Sequence, residues 1–128
     1  MENVEKHPLE PFLPKNAKIL MLGSFPPPQN RWCMHFYYPN FINDMWRILG
    51  KVFFDDRNAF VFQEKKTFNQ EKIVDFLQNV GIGIYDTATE VRRLKGNASD
   101  AFLEVVKPTD VKELLKKIPL CKAVVTTG

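Results

Sequence analysis

The residues of this chain that could do chemistry stand just after short apolar segments. Gly23 ends one such segment, and the backbone N–H groups that follow a glycine turn can point at a ligand or a phosphate. Asp86 ends another, where an ionised carboxylate would only accept hydrogen bonds. Between them in the chain, Asn43 carries an amide that both donates and accepts. These three positions predict a set of donors and acceptors for a polar ligand.

Each of these positions also has an ordinary structural interpretation. Asn43 falls in the first turn of a predicted helix, where an amide can satisfy free backbone N–H groups. Asp86 can cap the turn formed by residues 86–89. Many of the 11 Phe and 9 Pro residues fall between residues 25 and 62. Their rings could stack on bases, although most are expected in the core, so structural and functional roles both stay open.

Alternating strands and helices are predicted to position these residues. Short apolar runs predict strands at residues 18–23, 81–86 and 122–128, the first of them buried. Apolar residues at helical spacing predict helices at residues 41–52 and 72–80, and a third helix begins at residues 108–110. The proline-rich residues 1–16 are predicted to form an extended arm over the surface, and residues 92–101 a loop.

This alternation predicts an α/β fold, a three-layer α/β/α domain around a central parallel sheet with the first strand in the middle. Ligands of such sheets bind beyond the carboxyl ends of the strands, here residues 23–28, 86–89 and 126–128. The final strand would leave an unpaired apolar edge, so further residues are expected after Gly128.

Length and composition are typical of one globular domain. With 128 residues, 45% of them hydrophobic, the chain is expected to form a single domain over residues 1–128. The net charge of +3 permits nucleic-acid binding without arguing for it. Cys33 and Cys121 follow no metal-ligand spacing, which favours reduced thiols. No apolar run reaches the ~20 residues of a membrane-spanning helix, and we expect a soluble, cytoplasmic protein that binds no membrane.

A more specific signal is carried by Gly23-Ser24-Phe25-Pro26-Pro27, followed by Tyr37-Tyr38, Asn43 and Trp46-Arg47-Ile48-Leu49. This order of residue types resembles the first motif of the uracil-DNA glycosylase superfamily, and it is most similar to the hypoxanthine-DNA glycosylase branch. The similarity continues through residues 81–92 and 124–128, so it covers nearly the whole chain.

The resemblance implies a uracil-DNA glycosylase-like domain and a monofunctional DNA glycosylase of base-excision repair. Such an enzyme hydrolyses the N-glycosidic bond of a deaminated base in damaged duplex or single-stranded DNA, and hypoxanthine is favoured over uracil. It needs no metal, no cofactor and no obligate protein partner.

The resemblance also implies roles for particular side chains. Asn43 would be catalytic, acting on water or on the leaving base, and Tyr38 would stack on the extruded base. Asp86 would accept a hydrogen bond from N1–H of hypoxanthine. The expected base-binding residues are Ser24, Phe25, Tyr38 and Asp86, and the expected DNA-backbone residues are Pro26, Pro27, Arg31 and Arg47. Arg92, Arg93 and Lys95 could contact further phosphates.

Two departures from the family pattern leave an alternative open. Uracil-cleaving relatives carry Asp or Asn at the position of Phe25, and a phenyl ring cannot polarise water. The second family motif, a His-Pro-Ser loop, has no counterpart, because neither His7 nor His35 occupies such a setting. The chain could therefore be a non-catalytic DNA- or nucleotide-binding member, and residues 1–128 alone are expected to be deficient in base release. An unrelated flavodoxin-like phosphate binder is disfavoured, since no G-x-G-x-x-G follows the first strand.

Overall fold

Three apolar segments pair as a parallel sheet. The computed structural model describes residues 3–94 and 103–127, and in it β2 (Ile19–Gly23) lies between β5 (Ile82–Asp86) and β8 (Ala123–Thr126). The pairing is parallel on both sides, as expected, with Gly23 opposite Asp86 and Leu22 opposite Thr126. The carboxyl ends of the three strands therefore meet at one edge of this sheet.

A second sheet, which is antiparallel, was not predicted. Its order is β1 (Val4–Lys6), β6 (Ala88–Arg93) and β7 (Leu103–Pro108). The predicted loop is wrong at Arg92 and Arg93, which belong to β6, and residues 95–101 of it lie outside the described residues. Buried and partly exposed residues are mixed along β6, and β7 is largely exposed, so neither strand has the continuous apolar run of a buried strand.

Because the described strands are parallel in one sheet and antiparallel in another, the fold is mixed α/β. The structure thus supports the predicted α/β class, but it does not confirm a three-layer α/β/α domain around one central parallel sheet. A two-stranded antiparallel ribbon, β3 (Val61–Phe62) with β4 (Thr67–Phe68), adds to the antiparallel part.

The amino-terminal arm is extended, but it does not simply cross the surface. After β1, the His7 N–H donates to the Thr89 carbonyl at 2.8 Å. Further along, Phe12 and Ile84 exchange two backbone hydrogen bonds of 3.0 and 2.8 Å, which bind the arm to β5. The side chain of His7 is only 2% exposed, so the arm carries this polar side chain into the interior.

Three helices, α1 (Met45–Phe54), α2 (Gln70–Val80) and α3 (Val111–Lys117), complete the described fold. The predicted start of α1 at residue 41 is wrong, because a turn precedes the helix: Asn43 N–H donates to the Asn40 carbonyl, and Met45 N–H donates to Asn43 Oδ1. Helix α2 ends at Gly81 with φ of 81°, as a glycine cap requires. Helix α3 is capped by the Asp110 side chain, while Pro108 ends β7.

The core fixes the segment that precedes α1. Trp46 is fully buried, and its indole N–H donates to the Tyr37 carbonyl at 3.0 Å. The ring of Trp46 contacts Phe36, Tyr38 and Phe60 within the aromatic core. Tyr37 and Tyr38 are thereby held against the carboxyl edge of the parallel sheet. None of the helices in the described part of the chain is long and apolar enough to span a membrane.

Candidate active site

A cavity of about 500 Å³ opens at the carboxyl edge of the parallel sheet. Its lining contains seven of the predicted site residues: Ser24, Phe25, Pro26, Pro27, Tyr38, Asn43 and Asp86. Thr127, which lies in the predicted strand end 126–128, also lines it, together with five residues that were given no site role: Tyr37, Pro39, Asn40, Ile42 and Met45. The structure therefore brings together the turn after β2, the segment before α1 and the end of β5, as expected for a ligand site on parallel strands.

Two functional groups lie close to the backbone of Gly23, in the space that a side chain would occupy. A Cβ atom placed on Gly23 would lie 2.8 Å from the Tyr38 hydroxyl oxygen and 3.1 Å from Asp86 Oδ1. The parallel register sets Gly23 beside Asp86, and the core places Tyr38 over the same point. A methyl group at this position would therefore press on both the phenol and the carboxylate.

Asp86 is nearly buried and is bound to a histidine that the sequence interpretation set aside. His7 Nε2 lies 2.6 Å from Asp86 Oδ2, and the two side chains are 2% and 4% exposed. The Thr109 hydroxyl donates to the backbone carbonyl of Asp86 at 2.6 Å. Nothing in the local sequence marks His7, because the contact spans 79 positions of the chain.

The rings of Tyr85, Phe25 and Tyr37 surround the His7 imidazole, with centroid distances of 4.6, 5.1 and 5.9 Å. Burial, followed by the negative charges of Asp86 and Glu10, raises the pKa of Tyr85 to about 12. Burial, then Asp86, raises the pKa of Tyr37 far above its usual range. Both phenols therefore stay neutral around pH 7, and the Tyr37 hydroxyl donates to the Glu10 carbonyl at 2.7 Å.

Tyr38 is fixed in an unusual backbone conformation. Its φ of 50° is left-handed, which costs about 1 kcal/mol for a residue with a side chain. Its hydroxyl is 2.5 Å from Thr127 Oγ1, and its ring packs edge-on against Trp46. Burial raises the Tyr38 pKa, the Thr127 hydrogen bond lowers it, and the Asp86 charge raises it again. The surrounding contacts thus hold a neutral aromatic ring at the wall of the cavity.

Asn43 lines the cavity from an exposed position just before α1. Its Oδ1 accepts from the Met45 backbone N–H at 2.8 Å. The amide thus satisfies a free backbone N–H at the start of α1, as expected, but it does so from outside the helix, whose N-cap residue is Asp44. With its oxygen at the helix start, the amide can still offer its NH₂ group to a ligand.

Phe25 lines the cavity but is only 6% exposed. It packs with Ala88, Val91 and Leu103 of the antiparallel sheet. The next residue, Pro26, accepts a hydrogen bond at its carbonyl from Arg93, and Arg93 is also paired with Glu5 at 3.0 Å. Arg93, expected to contact phosphate, is instead buried beneath the proline loop, residues 26–28, which it ties to the second sheet.

Arg31 and Arg47, the two arginines predicted to contact the DNA backbone, are not part of the cavity lining. Arg31 is exposed in a short 3₁₀ helix, Gln29–Arg31. Arg47 donates to the carbonyls of Phe41 and Asn43 at 2.7 and 3.0 Å, and its guanidinium lies over the Phe41 ring. Arg47 therefore supports the turn that carries Asn43. In residues 3–94 and 103–127, no cluster of His, Cys, Asp or Glu side chains is arranged to hold a metal ion.

Comparison with known proteins gives one informative likeness. No family model matches the chain, and no curated protein matches it. A solution NMR structure of a candidate uracil DNA glycosylase from Methanosarcina acetivorans is similar, with a TM-score of 0.67 and 22% sequence identity. The match covers 98% of this chain and 71% of that one. The chain therefore shares the fold of that protein.

Proposed function

We propose that the protein is a DNA glycosylase that hydrolyses the N-glycosidic bond of a deaminated base, with hypoxanthine favoured and uracil as the second candidate. The observation that carries this proposal is the meeting of Tyr38, Asn43 and Asp86 around one cavity. The fold shared with a candidate uracil DNA glycosylase supports it. The volume of about 500 Å³ lies within the roughly 300–1,000 Å³ usual for small-molecule sites.

In this proposal the damaged nucleotide leaves the DNA stack and enters the cavity. The Tyr38 ring stacks on the base, and its fixed position means that little rotamer freedom is lost when the base binds. The surrounding proline loop, residues 26–28, contacts the DNA backbone. Phosphate contacts made by basic residues at the surface supply affinity without base preference.

Asp86 recognises the chemical mark of deamination. Hypoxanthine carries N1–H where adenine has a lone pair, and uracil carries N3–H where cytosine has a lone pair. An ionised carboxylate accepts from the ring N–H of either deaminated base and repels the lone pair of either parent. It should accept better from hypoxanthine, because two carbonyls that repel it flank the ring N–H of uracil and only one flanks that of hypoxanthine. A buried acceptor at this position therefore favours hypoxanthine over adenine and uracil over cytosine.

Asn43 assists departure of the base. Breaking the glycosidic bond leaves an oxocarbenium-like sugar and places negative charge on the leaving base. The oxygen of a water molecule then bonds to the sugar, and the proton that this water loses neutralises the departing base. The NH₂ group of Asn43 donates to the leaving base as this charge develops. The proposal requires no metal and no cofactor, and Phe25 takes no part in polarising the water.

The test is single-turnover base release by the natural full-length protein from duplexes that contain one inosine, one uracil or only normal bases. Release is expected from inosine above all. Because one preorganised donor is worth ~3 kcal/mol in a transition state, Asn43→Ala should slow release roughly a hundredfold. Duplex binding should be almost unchanged, since phosphates dominate it.

Asn58→Ala is the matched control, because Asn58 is an exposed asparagine that does not line the cavity. Normal release by Asn43→Ala would leave Asn43 with only its structural role in the turn before α1. The second candidate function is a non-catalytic DNA-binding protein, which Phe25 favours because it replaces a water-polarising residue. Binding of the inosine duplex without any release would support that function instead.

A further inference from the structure

His7 is the one buried imidazole near the cavity, within the part of the chain that the structure describes, and the catalytic proposal does not use it. It is 2% exposed, surrounded by Phe25, Tyr37 and Tyr85, and 2.6 Å from Asp86 Oδ2. The other histidine, His35, is exposed and contacts Trp32. His7 is thus in a position to control the carboxylate that the cavity presents.

The backbone next to His7 determines which ring nitrogen carries the proton. Leu9 N–H donates to His7 Nδ1 at 3.1 Å. Nδ1 must then be unprotonated, so a neutral imidazole carries its hydrogen on Nε2. His7 Nε2–H therefore donates to Asp86 Oδ2, and its direction is fixed by the amino-terminal arm.

A carboxylate this deeply buried is unstable unless donors compensate for its lost hydration. The nearby Tyr37 and Tyr85 are neutral, and the Tyr37 hydroxyl is engaged with the Glu10 carbonyl. The imidazole N–H compensates the charge of Asp86 and holds one of its oxygens. The other oxygen, Oδ1, lies beside Gly23 and the Tyr38 hydroxyl at the cavity wall.

We propose that His7 is a positioning residue for base recognition: its Nε2–H holds Asp86 as an oriented, ionised acceptor, so that the cavity selects bases with a ring N–H. The inference rests on the proposed function, because it assigns Asp86 to reading the base. Without this donor the carboxylate would lose a hydrogen bond that fixes its orientation and compensates its buried charge. The preference for a ring N–H over a ring lone pair would then be lost.

Two substitutions separate hydrogen bonding from packing. His7→Phe keeps an aromatic ring in the cage and removes the donor, whereas His7→Gln supplies an amide N–H in place of Nε2–H. The readout is equilibrium binding of free hypoxanthine and free adenine to the natural full-length protein by calorimetry. We expect the parent to prefer hypoxanthine by about tenfold or more, the usual worth of a charge-assisted hydrogen bond. His7→Phe should lose most of this preference and His7→Gln should retain most of it.

His35→Phe is the control and should leave the preference intact. An unchanged preference in His7→Phe, a preference lost equally in His7→Gln, or a parent that binds both bases alike would each overturn the inference. Thermal unfolding of every variant identifies any loss of fold, and ¹⁵N spectra of His7 in the folded parent must show a protonated Nε2 and an unprotonated Nδ1. Because base binding needs no bond cleavage, a protein that binds selectively but releases nothing would refute the glycosylase function and leave the role of His7 standing.

Discussion

The parallel and antiparallel sheets provide the two ends of the His7–Asp86 hydrogen bond, but they are built differently. Strands β2 and β5 of the parallel sheet are almost entirely buried, and β5 ends at Asp86. Strand β7 of the antiparallel sheet is largely exposed, and the chain that leaves β1 delivers His7. Apolar packing thus positions Asp86, and an extended arm next to a more polar sheet positions His7.

Because of this difference, we expect substitutions in the two sheets to have different consequences. A change in the buried strands should lower the free energy of unfolding, because it removes apolar contacts. A change among the polar groups of the second sheet should mainly displace the arm or the proline loop. Stability and recognition should therefore be separable by mutation.

The largest effect is expected in the buried strand β5. Ile84 is fully buried, and Ile84→Ala should lower the free energy of unfolding by about 3 kcal/mol through lost burial and a residual cavity. Val105→Ala, in β7 and 55% exposed, is the counterpart in the other sheet and should change stability by less than about 0.5 kcal/mol. Denaturant unfolding measures both, and equal losses would remove the distinction between the sheets.

An intermediate effect is expected where the second sheet holds the proline loop. Arg93→Ala removes hydrogen bonds to Glu5 and to the Pro26 carbonyl. Because Glu5 is 42% exposed and regains water, the loss of unfolding free energy should be about 1–2 kcal/mol. Arg92→Ala, which breaks the exposed pair with Glu104, should cost less than about 1 kcal/mol. If chemical denaturation ranks the two in the opposite order, Arg93 does not anchor the loop.

Gly23→Ala should have the smallest effect on stability, although it should clearly affect the site. A methyl group there would press on the Tyr38 hydroxyl and on Asp86 Oδ1. Gly23→Ala should therefore weaken hypoxanthine binding by about tenfold, since a displaced carboxylate loses a charge-assisted hydrogen bond. Its melting temperature should change little if the tyrosine side chain moves aside. Parent-like binding would show that Tyr38 and Asp86 need not meet over this glycine.

The sequence indicated the parallel sheet and most of the cavity lining. Short apolar runs predicted β2, β5 and β8 with their common edge, and that edge brings together Ser24, Asn43 and Asp86. The antiparallel sheet was missed because its half-exposed strands carry no continuous apolar run.

The errors at the site have a similar origin. Phe41 matched the helical spacing, but it packs against Phe68 and under the Arg47 guanidinium before the helix begins. His7 was set aside because its role depends on a partner 79 positions away. Local periodicity records burial, whereas long-range polar pairs leave no pattern along the chain.

The central claim, that Asp86 reads the base, is tested most directly by the ratio of single-turnover release rates from inosine and uracil duplexes. Asp86→Asn replaces an acceptor by an amide whose N–H can donate to a pyrimidine carbonyl. We predict that this ratio falls by about tenfold relative to the parent, the equivalent of one exchanged hydrogen bond to a charged group. Asp75→Asn, at an exposed position of α2, should leave the ratio unchanged. An inosine-to-uracil ratio that is the same in Asp86→Asn and in the parent would contradict the account.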